Sequence, residues 1–414
     1  MCLAAIAGPA GPAFLPNWRS DVTNRHEDKS PAAALQGLRV LDLSRVLAGP
    51  LCAQMLADHG ADVIKVEPPA GDETRKLGPP FAVTGDAAYY TAVNRGKRGV
   101  VLDLSTKSGQ EDLLALLDGI DVLIENFVPG TMARWGLDYE KVLQPRFPRL
   151  VHCTVSGFGS DGPLGGLPGY DAVLQAMCGL MSINGDMQSG PTRIGIPIVD
   201  HLTGYTAFSG ILLALYERSR SGMGQRVDAA LFDAAMSLLV PHAANWMYSH
   251  QEPRLLGSAH PNISPYDKFL CTDGYIFLGI LNDRQFKRFC DHVGLSHVLE
   301  DERFFSNAGR LQNRDALREL IEVALSSFSR DPLCAELMGC GVPAGPVNSV
   351  SEAFAQPHSR HRKMTVERDG YHGIGVPVKL SRTPGCPGSN PPRFGEHTAA
   401  IFHEGGVPPT LTCA

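Results

Sequence analysis

The sequence predicts an α/β protein: a doubly wound, Rossmann-like parallel sheet domain carrying a smaller α+β domain. Three observations lead there. Short Val/Ile/Leu-rich runs alternate with helical stretches through the first 155 residues, the pattern of stacked βαβ units. Those runs are apolar on both faces, as strands of a covered parallel sheet must be. After residue 254 the pattern changes, until the Gly/Pro stretch 341–347. We therefore read an extension at 1–35, a large domain from 36–222 and 341–414, a helical linker at 223–254 and a small domain at 255–340.

Residues 38–43 form the first strand, and 44–50 (SRVLAGP) the turn into a helix over 51–59 that stops at Gly60. The strand 62–67 completes a βαβ unit. Further strands are expected at 100–104, 121–125 and 150–155, with helices over 108–117 and around 130–135 between them. Such a sheet places ligands at the carboxyl ends of its strands. Two apolar helical stretches, 172–181 and 201–217, follow, then a helical run over 227–248 broken by Pro241. In the small domain, 275–280 is a strand after the turn 272–274, and 283–329 is mostly helical. Residues 375–380 look strand-like and return the chain to the large domain.

At 414 residues the chain can bury two or three cores. Its net charge of -6 argues against nucleic-acid binding, which needs a basic face. No apolar run reaches the ~20 residues of a transmembrane helix. Ten cysteines without C-x-x-C spacing read as reduced, mostly buried thiols. Residues 1–35 are rich in Ala, Pro and Gly and read as disordered; the expected location is cytoplasmic, or the mitochondrial matrix if this extension is a transit peptide.

The chemistry gathers at Gly169-Tyr170-Asp171, which ends the glycine-rich loop 156–170 after the strand 150–155. Asp171 falls at a helix N-terminus, where free N–H groups and the helix dipole favour an anion. The simple alternative is that it caps the helix. Residues 157–162 match G-x-G-x-x-G but do not open a helix on the third glycine, so a nicotinamide site is not read here. His358, His361 and His372 lie in a basic polar stretch and read as surface; no metal is expected.

Several blocks carry a family resemblance: 41–50 (LDLSRVLAGP), 60–67 (GADVIKVE), 94–98 (NRGKR), 125–130 (ENFVPG), 169–171, 260–263 (HPNI) and 395–398 (GEHT). In that order and spacing, residues 38–398 resemble the class III CoA-transferases of the formyl-CoA transferase and carnitine CoA-transferase type. The resemblance implies an interlocked homodimer, with acyl-CoA as substrate and no permanently bound cofactor. It also implies that Asp171 attacks the donor thioester, forming an acyl–aspartyl anhydride and then an aspartyl-CoA thioester. Splitting the transfer this way preserves the thioester's transfer potential. By the family pattern, CoA contacts fall on Leu47, Ala48, Asn94, Arg95, Lys97, Arg98, Asn126, Phe127 and Arg134. For Arg98 and Arg134 the simple alternative is solvated surface, and for Asn126 a turn residue. Amides near Asp171 and at 257–259 are candidate oxyanion donors.

Departures from formyl-CoA transferase bear on the substrate. Leu47 replaces a Gln and Pro68 an Arg, so that enzyme's CoA contacts at these two points do not carry over; 256–260 (LGSAH) replaces its glycine run, so oxalate is disfavoured. The stretch 257–266 and the turn 45–50 look most like members that use succinyl-CoA with glutarate, itaconate, malate or citramalate. Arg45, Arg193, His260 and Gly257 are the candidates for holding the acid, since a distal carboxylate needs a cationic or N–H partner. Racemases of the same superfamily are the alternative. They carry Gly-His-Asp where this chain has Gly169-Tyr170-Asp171, and the stretch 136–149 lacks their second His. Two-base chemistry then lacks a partner. A non-catalytic acyl-CoA binding protein is the remaining reading, against which Asp171 stands.

Overall fold

The computed structural model describes residues 33–404. The extension expected over 1–35 lies outside them except for its last three residues. Leu35 is already tied down, its N–H donating to the His59 carbonyl at 2.9 Å.

The chain runs β1 (Arg39–Asp42), α1 (Ala48–Asp58), β2 (Asp62–Glu67), α2 (Ala88–Ala92), β3 (Lys97–Val101), α3 (Lys107–Leu116) and β4 (Val122–Glu125). It continues through α4 (Thr131–Arg134), α5 (Gln144–Arg146), β5 (Val151–Ser156), α6 (Asp171–Met177), α7 (Leu180–Ile183), α8 (Ile198–Ser221) and β6 (Arg226–Ala230). The six strands form one parallel sheet in the order β3-β2-β1-β4-β5-β6. The chain leaves β1 toward β2 and β3, then crosses to β4 on β1's other side. The carboxyl ends of β1 and β4 therefore flank a crevice at the point where the winding reverses.

Strand residues alternate between two cores, as their period of two dictates. Val40, Val63, Val122, Ile124 and Cys153 face α1 and α8 through Cys52, Leu56, Ala207 and Ile211. Leu41, Ile64, Val100 and Leu123 face the other way, toward α3 and the C-terminal helix, through Leu113, Leu116, Ile401 and Phe402. By length and composition α8, at 24 residues, could cross a membrane, which the apolar-run reading of the sequence overlooked. One of its faces nevertheless belongs to the first core, where Gly204 brings it onto α1: a Cβ there would sit 2.8 Å from the Ala48 carbonyl oxygen.

Past β6 come α9 (Leu231–Ser237), α10 (His242–Ser249), β7 (Tyr266–Cys271), β8 (Gly274–Gly279), α11 (Asp283–His292), α12 (Asn307–Gln312), α13 (Arg314–Leu325), α14 (Arg330–Gly339) and β9 (Ala344–Pro346). The strands β7-β8-β9 form an antiparallel sheet with its own core, including Phe269, Ile276, Phe289 and Ile321. The chain closes with α15 (Val350–Ala355), α16 (Pro357–His361), the hairpin β10 (Thr365–Arg368) and β11 (Tyr371–Ile374), and α17 (Thr398–Glu404).

Four expectations change. The third strand starts at Lys97 rather than 100, because its first residues pair with β2 from Val63 onward. Residues 226–230 are not helical: they pair in parallel with β5, His152 opposite Arg226. Sheet pairing there overrides the helix preference of the alanines. The stretch 341–347 is more than a hinge, since β9 within it pairs with β8. Residues 375–380 form no strand; the hairpin just before them does.

Replacing Gly204 by Leu should force α8 off α1 and cost about 1–3 kcal/mol. Thermal unfolding should show a lower Tm, and an unchanged Tm would mean the two helices do not meet there.

Candidate active site

The crevice beside β1 and β4 opens into a cavity of about 500 Å³. One wall is the turn after β1. Beneath it the Asp42 carboxylate receives the Ser44 hydroxyl and the Lys97 ammonium, the latter at 2.9 Å. Lys65 donates to the Ser44 carbonyl and to Asp72. Burial alone would raise the Asp42 carboxyl, yet Lys97 and Lys65 hold it below the usual range. On this base Val46 adopts φ +70°, a strained value for a β-branched residue and one typical of functional turns. Asn126, at the end of β4, clamps the same turn. Its side-chain oxygen accepts the Arg45 N–H at 2.9 Å and its amide donates to the Arg45 carbonyl at 2.7 Å.

The second wall is Phe127, Val128, Pro129, Thr131 and Trp135, with the Phe127 and Trp135 rings edge to face at 5.1 Å. Arg134 reaches Thr131 from the exposed rim. The third wall is Ser156, Gly157 and residues 167–170. Two glycines cross there: a Cβ on Gly157 would lie 2.9 Å from the Gly169 Cα. Only bare backbone fits at that contact.

Asp171 follows this crossing. Tyr170 is the N-cap of α6, so the Asp171 side chain does not cap its own helix. Its Oδ2 instead accepts the N–H groups of Val199 at 2.7 Å and Asp200 at 3.2 Å, in the first turn of α8. Oδ1 accepts the Gln175 amide at 2.7 Å. Gln175 is itself fixed, its oxygen accepting the Ile194 N–H. The positive end of a 24-residue helix thus points at one buried carboxylate. Asp200 lines the cavity beside it. Burial and the neighbouring Asp171 push the Asp200 carboxyl up to about 7. Burial, with Asp200 and Asp171 adding, moves the Tyr89 phenol up to about 12.

This arrangement suits a nucleophilic carboxylate next to an apolar slot at a topological switch point. A model of the family described as CoA-transferase family III matches residues 35–398. The chain belongs to that family. A succinate–glutarate CoA-transferase of Agrobacterium fabrum is 41% identical over 396 residues, 93% of this chain and 97% of that one. An acetyl-CoA:oxalate CoA-transferase of Acetobacter aceti is 37% identical, over 91% of this chain and 97% of its own length. Among solved structures, a CaiB/BaiF family protein from Brucella suis matches with a TM-score of 0.82 at 42% identity, covering 90% of this chain and all of that one.

The residues expected for a family III site divide into two groups. Arg45, Leu47, Ala48, Asn126 and Phe127 line the cavity, and Arg134 stands at its rim. Asn126 has both side-chain polar atoms engaged by the turn, so it shapes the wall. The loop 94–98 lies apart from this lining. Asn94 is wholly buried on the Tyr90 carbonyl and Lys97. Arg95 forms a two-pronged pair with Asp58 at 2.8 and 2.7 Å. Lys97 supports the turn from below, and Arg98 pairs with Asp62 and Glu404. Their donors are committed inside the protein and none lines the cavity.

Arg193, Gly257 and His260 also lie off it. Arg193 turns back on the Ile194 and Gly195 carbonyls. Gly257 donates its N–H to the Gly185 carbonyl at 2.8 Å, and the His260 ring accepts the Asn262 N–H and packs on Tyr266. His152, set aside as a base, is buried 3.7 Å from Glu125. Burial drives it down to about 4 and Glu125 up to about 7. Gln175, Val199, Asp200 and Tyr89 went unread in the sequence. Gln175 alone had a signal, its spacing of four from Asp171 along one helix.

Among the described residues Arg45 is the only cation lining the cavity, and its Nε is buried without a hydrogen-bond partner. Two predictions separate it from Arg95. Arg45→Ala should raise KM for acyl-CoA about tenfold with little change in Tm, since it removes a charge-assisted contact to substrate. Arg95→Ala should leave KM unchanged but lose about 3–5 kcal/mol by stranding Asp58, read as a lower Tm. The reverse pattern would restore the loop 94–98 as the phosphate site. Gly169→Ala should lower kcat at least tenfold by displacing Asp171, a loss that misplacement by a fraction of an ångström can cause.

Proposed function

We propose that this family III CoA-transferase moves CoA from succinyl-CoA to a second dicarboxylic acid, with glutarate the first acceptor to test, through covalent intermediates on Asp171. The observation that supports it is the Asp171 carboxylate at the N-terminus of α8, beside the cavity. The choice of acids follows the relatives at 35–41% identity that are named for succinate and glutarate. The relative at 37% identity that is named for acetyl-CoA and oxalate makes the acceptor a matter for assay.

Asp171 Oδ1 attacks the thioester carbonyl, the C–S bond breaks, and CoA leaves as thiolate. Oδ2 becomes the carbonyl oxygen of the mixed anhydride. When the thiolate returns to the Asp171 carbonyl carbon, negative charge develops on Oδ2. There the Val199 and Asp200 N–H groups are already in place. An amide pair that orients the resting nucleophile thereby becomes the oxyanion site of the next step. The original acid departs as a carboxylate, and the incoming acid attacks the aspartyl-CoA thioester by the same steps reversed. The sequence expectation put these donors on glycine loops; the α8 amides take that role in this reading.

The apolar flanks of the cavity suit the pantetheine arm, with Arg45 inside and Arg134 at the rim available to phosphate or carboxylate. A homodimer is part of the proposal. The outer face of α8 exposes Tyr205, Leu213 and Tyr216, and α10 exposes Trp246, Met247 and Tyr248, an apolar surface that calls for a partner.

Incubation with succinyl-CoA should add a CoA-sized or succinyl-sized mass to the peptide carrying Asp171, sensitive to hydroxylamine. Asp171→Asn should retain CoA binding and lose transfer on the order of 10³-fold or more. A panel of glutarate, itaconate, malate and oxalate, with CoA products read by mass spectrometry, fixes the acceptor. Product formation without any adduct on Asp171 would refute the mechanism.

A further inference from the structure

Two carboxylic acids share the amino end of α8. Asp171 occupies its free N–H groups, and Asp200 sits in that helix's first turn with its side chain on the cavity. A first-turn acid ordinarily complements the helix dipole as an anion. Here that positive end already serves Asp171, and a second charge a few ångströms away would be repelled. The groups facing Asp200 do not relieve it. Asp171 comes from α6, the Tyr89 phenol from α2, and His201 follows on α8, held toward its neutral form by burial. Among the described residues Asp200 forms no ion pair. Across the cavity stand Glu73 and Asp103, with Arg45 already paired to Glu73 at 3.2 Å.

Such a cavity is poorly suited to a free thiolate. Cleavage of the donor converts a neutral thioester and one carboxylate into a neutral anhydride and one thiolate, and among the described residues the one cation lining the cavity, Arg45, is held by Glu73. We propose that Asp200 acts as the carboxylic acid that protonates the departing CoA sulfur and takes the proton back when the thiol re-attacks. The inference rests on the transfer reaction at Asp171. In the forward step the C–S bond breaks and the Asp200 proton passes to sulfur, leaving CoA thiol and an Asp200 carboxylate. In the return step Asp200 removes that proton as sulfur bonds to the Asp171 carbonyl carbon and the acid leaves as its carboxylate. Protons and charge balance over the cycle. The direction is favourable, since a thiol of ordinary pKa about 8.5 holds a proton more tightly than a carboxyl near neutrality. With its carboxyl raised to about 7 by burial and Asp171, Asp200 can serve as both acid and base near neutrality. A group whose pKa lies near the working pH is the most effective proton carrier.

The test is exchange of labelled succinate into succinyl-CoA, which needs no knowledge of the second acid. It is run from pH 6 to 9 on the intact protein and on Asp200→Asn and Asp200→Ala, with Tm and CoA binding checked for each. The wild-type rate should fall about tenfold per unit above pH 7. Asp200→Asn, a neutral donor that cannot ionise, should lose that alkaline limb and run at least tenfold slower at pH 6.5. Asp200→Ala should be on the order of 10²-fold slower or worse at every pH. A flat wild-type profile, an alkaline limb that persists in Asp200→Asn, or equal rates for the Asn and Ala variants would overturn the role of Asp200 while leaving Asp171 intact. No exchange by wild type at any pH would overturn the succinyl-CoA reading and this inference together.

Discussion

One contact organises the molecule: the hydrogen bonds from the first turn of α8 to the Asp171 carboxylate. A carboxylate this enclosed persists only where donors meet it, and these donors belong to a helix whose other contacts hold it to the sheet. Gly204 lets α8 lie on α1, Ala207 and Ile211 enter the core, and α1 in turn starts at the strained turn after β1. Nucleophile, helix and cavity wall are therefore one mechanical unit. Displacing any of them by a fraction of an ångström changes the geometry at the reacting carbon.

Below the cavity lies a second layer of buried charge. Lys65, Lys97, Asp42 and Asp72 are almost entirely enclosed, and Arg75 is paired with Glu67 and Asp86 nearby. Buried pairs contribute little net stability but are costly to break, because the remaining charge is left buried and unpaired. What they fix here is the main-chain path of residues 43–47, including the left-handed Val46. The charges that the sequence offers to a phosphate are spent on holding the platform.

This explains what was legible in the sequence and what was not. The alternating apolar runs gave away the parallel sheet, since burial on both faces leaves a local mark. The strand 226–230 left none: an Ala-rich segment earns its conformation only from β5 beside it. The glycine loop and Asp171 stood out because close backbone contact needs glycine at particular points. The loop 94–98 could be read only as a cluster of Arg and Lys, which looks the same in sequence whether it faces a ligand or Asp58, Asp62 and Asp42. Asp200 was silent, its meaning set by Asp171, 29 positions away.

The crossing of Gly157 over Gly169 has a further consequence. It draws the chain into a loop, so residues 158–168 form an excursion whose two limbs meet at this neck and at the Gly166 N–H to Gly159 carbonyl bond. The neck fixes where the chain re-enters toward Asp171, while Phe158 anchors the excursion on Phe232. The exposed tip of the excursion, away from Phe158 and the wall residues Leu167 and Pro168, is therefore the place where a designer seeking new acid selectivity would splice.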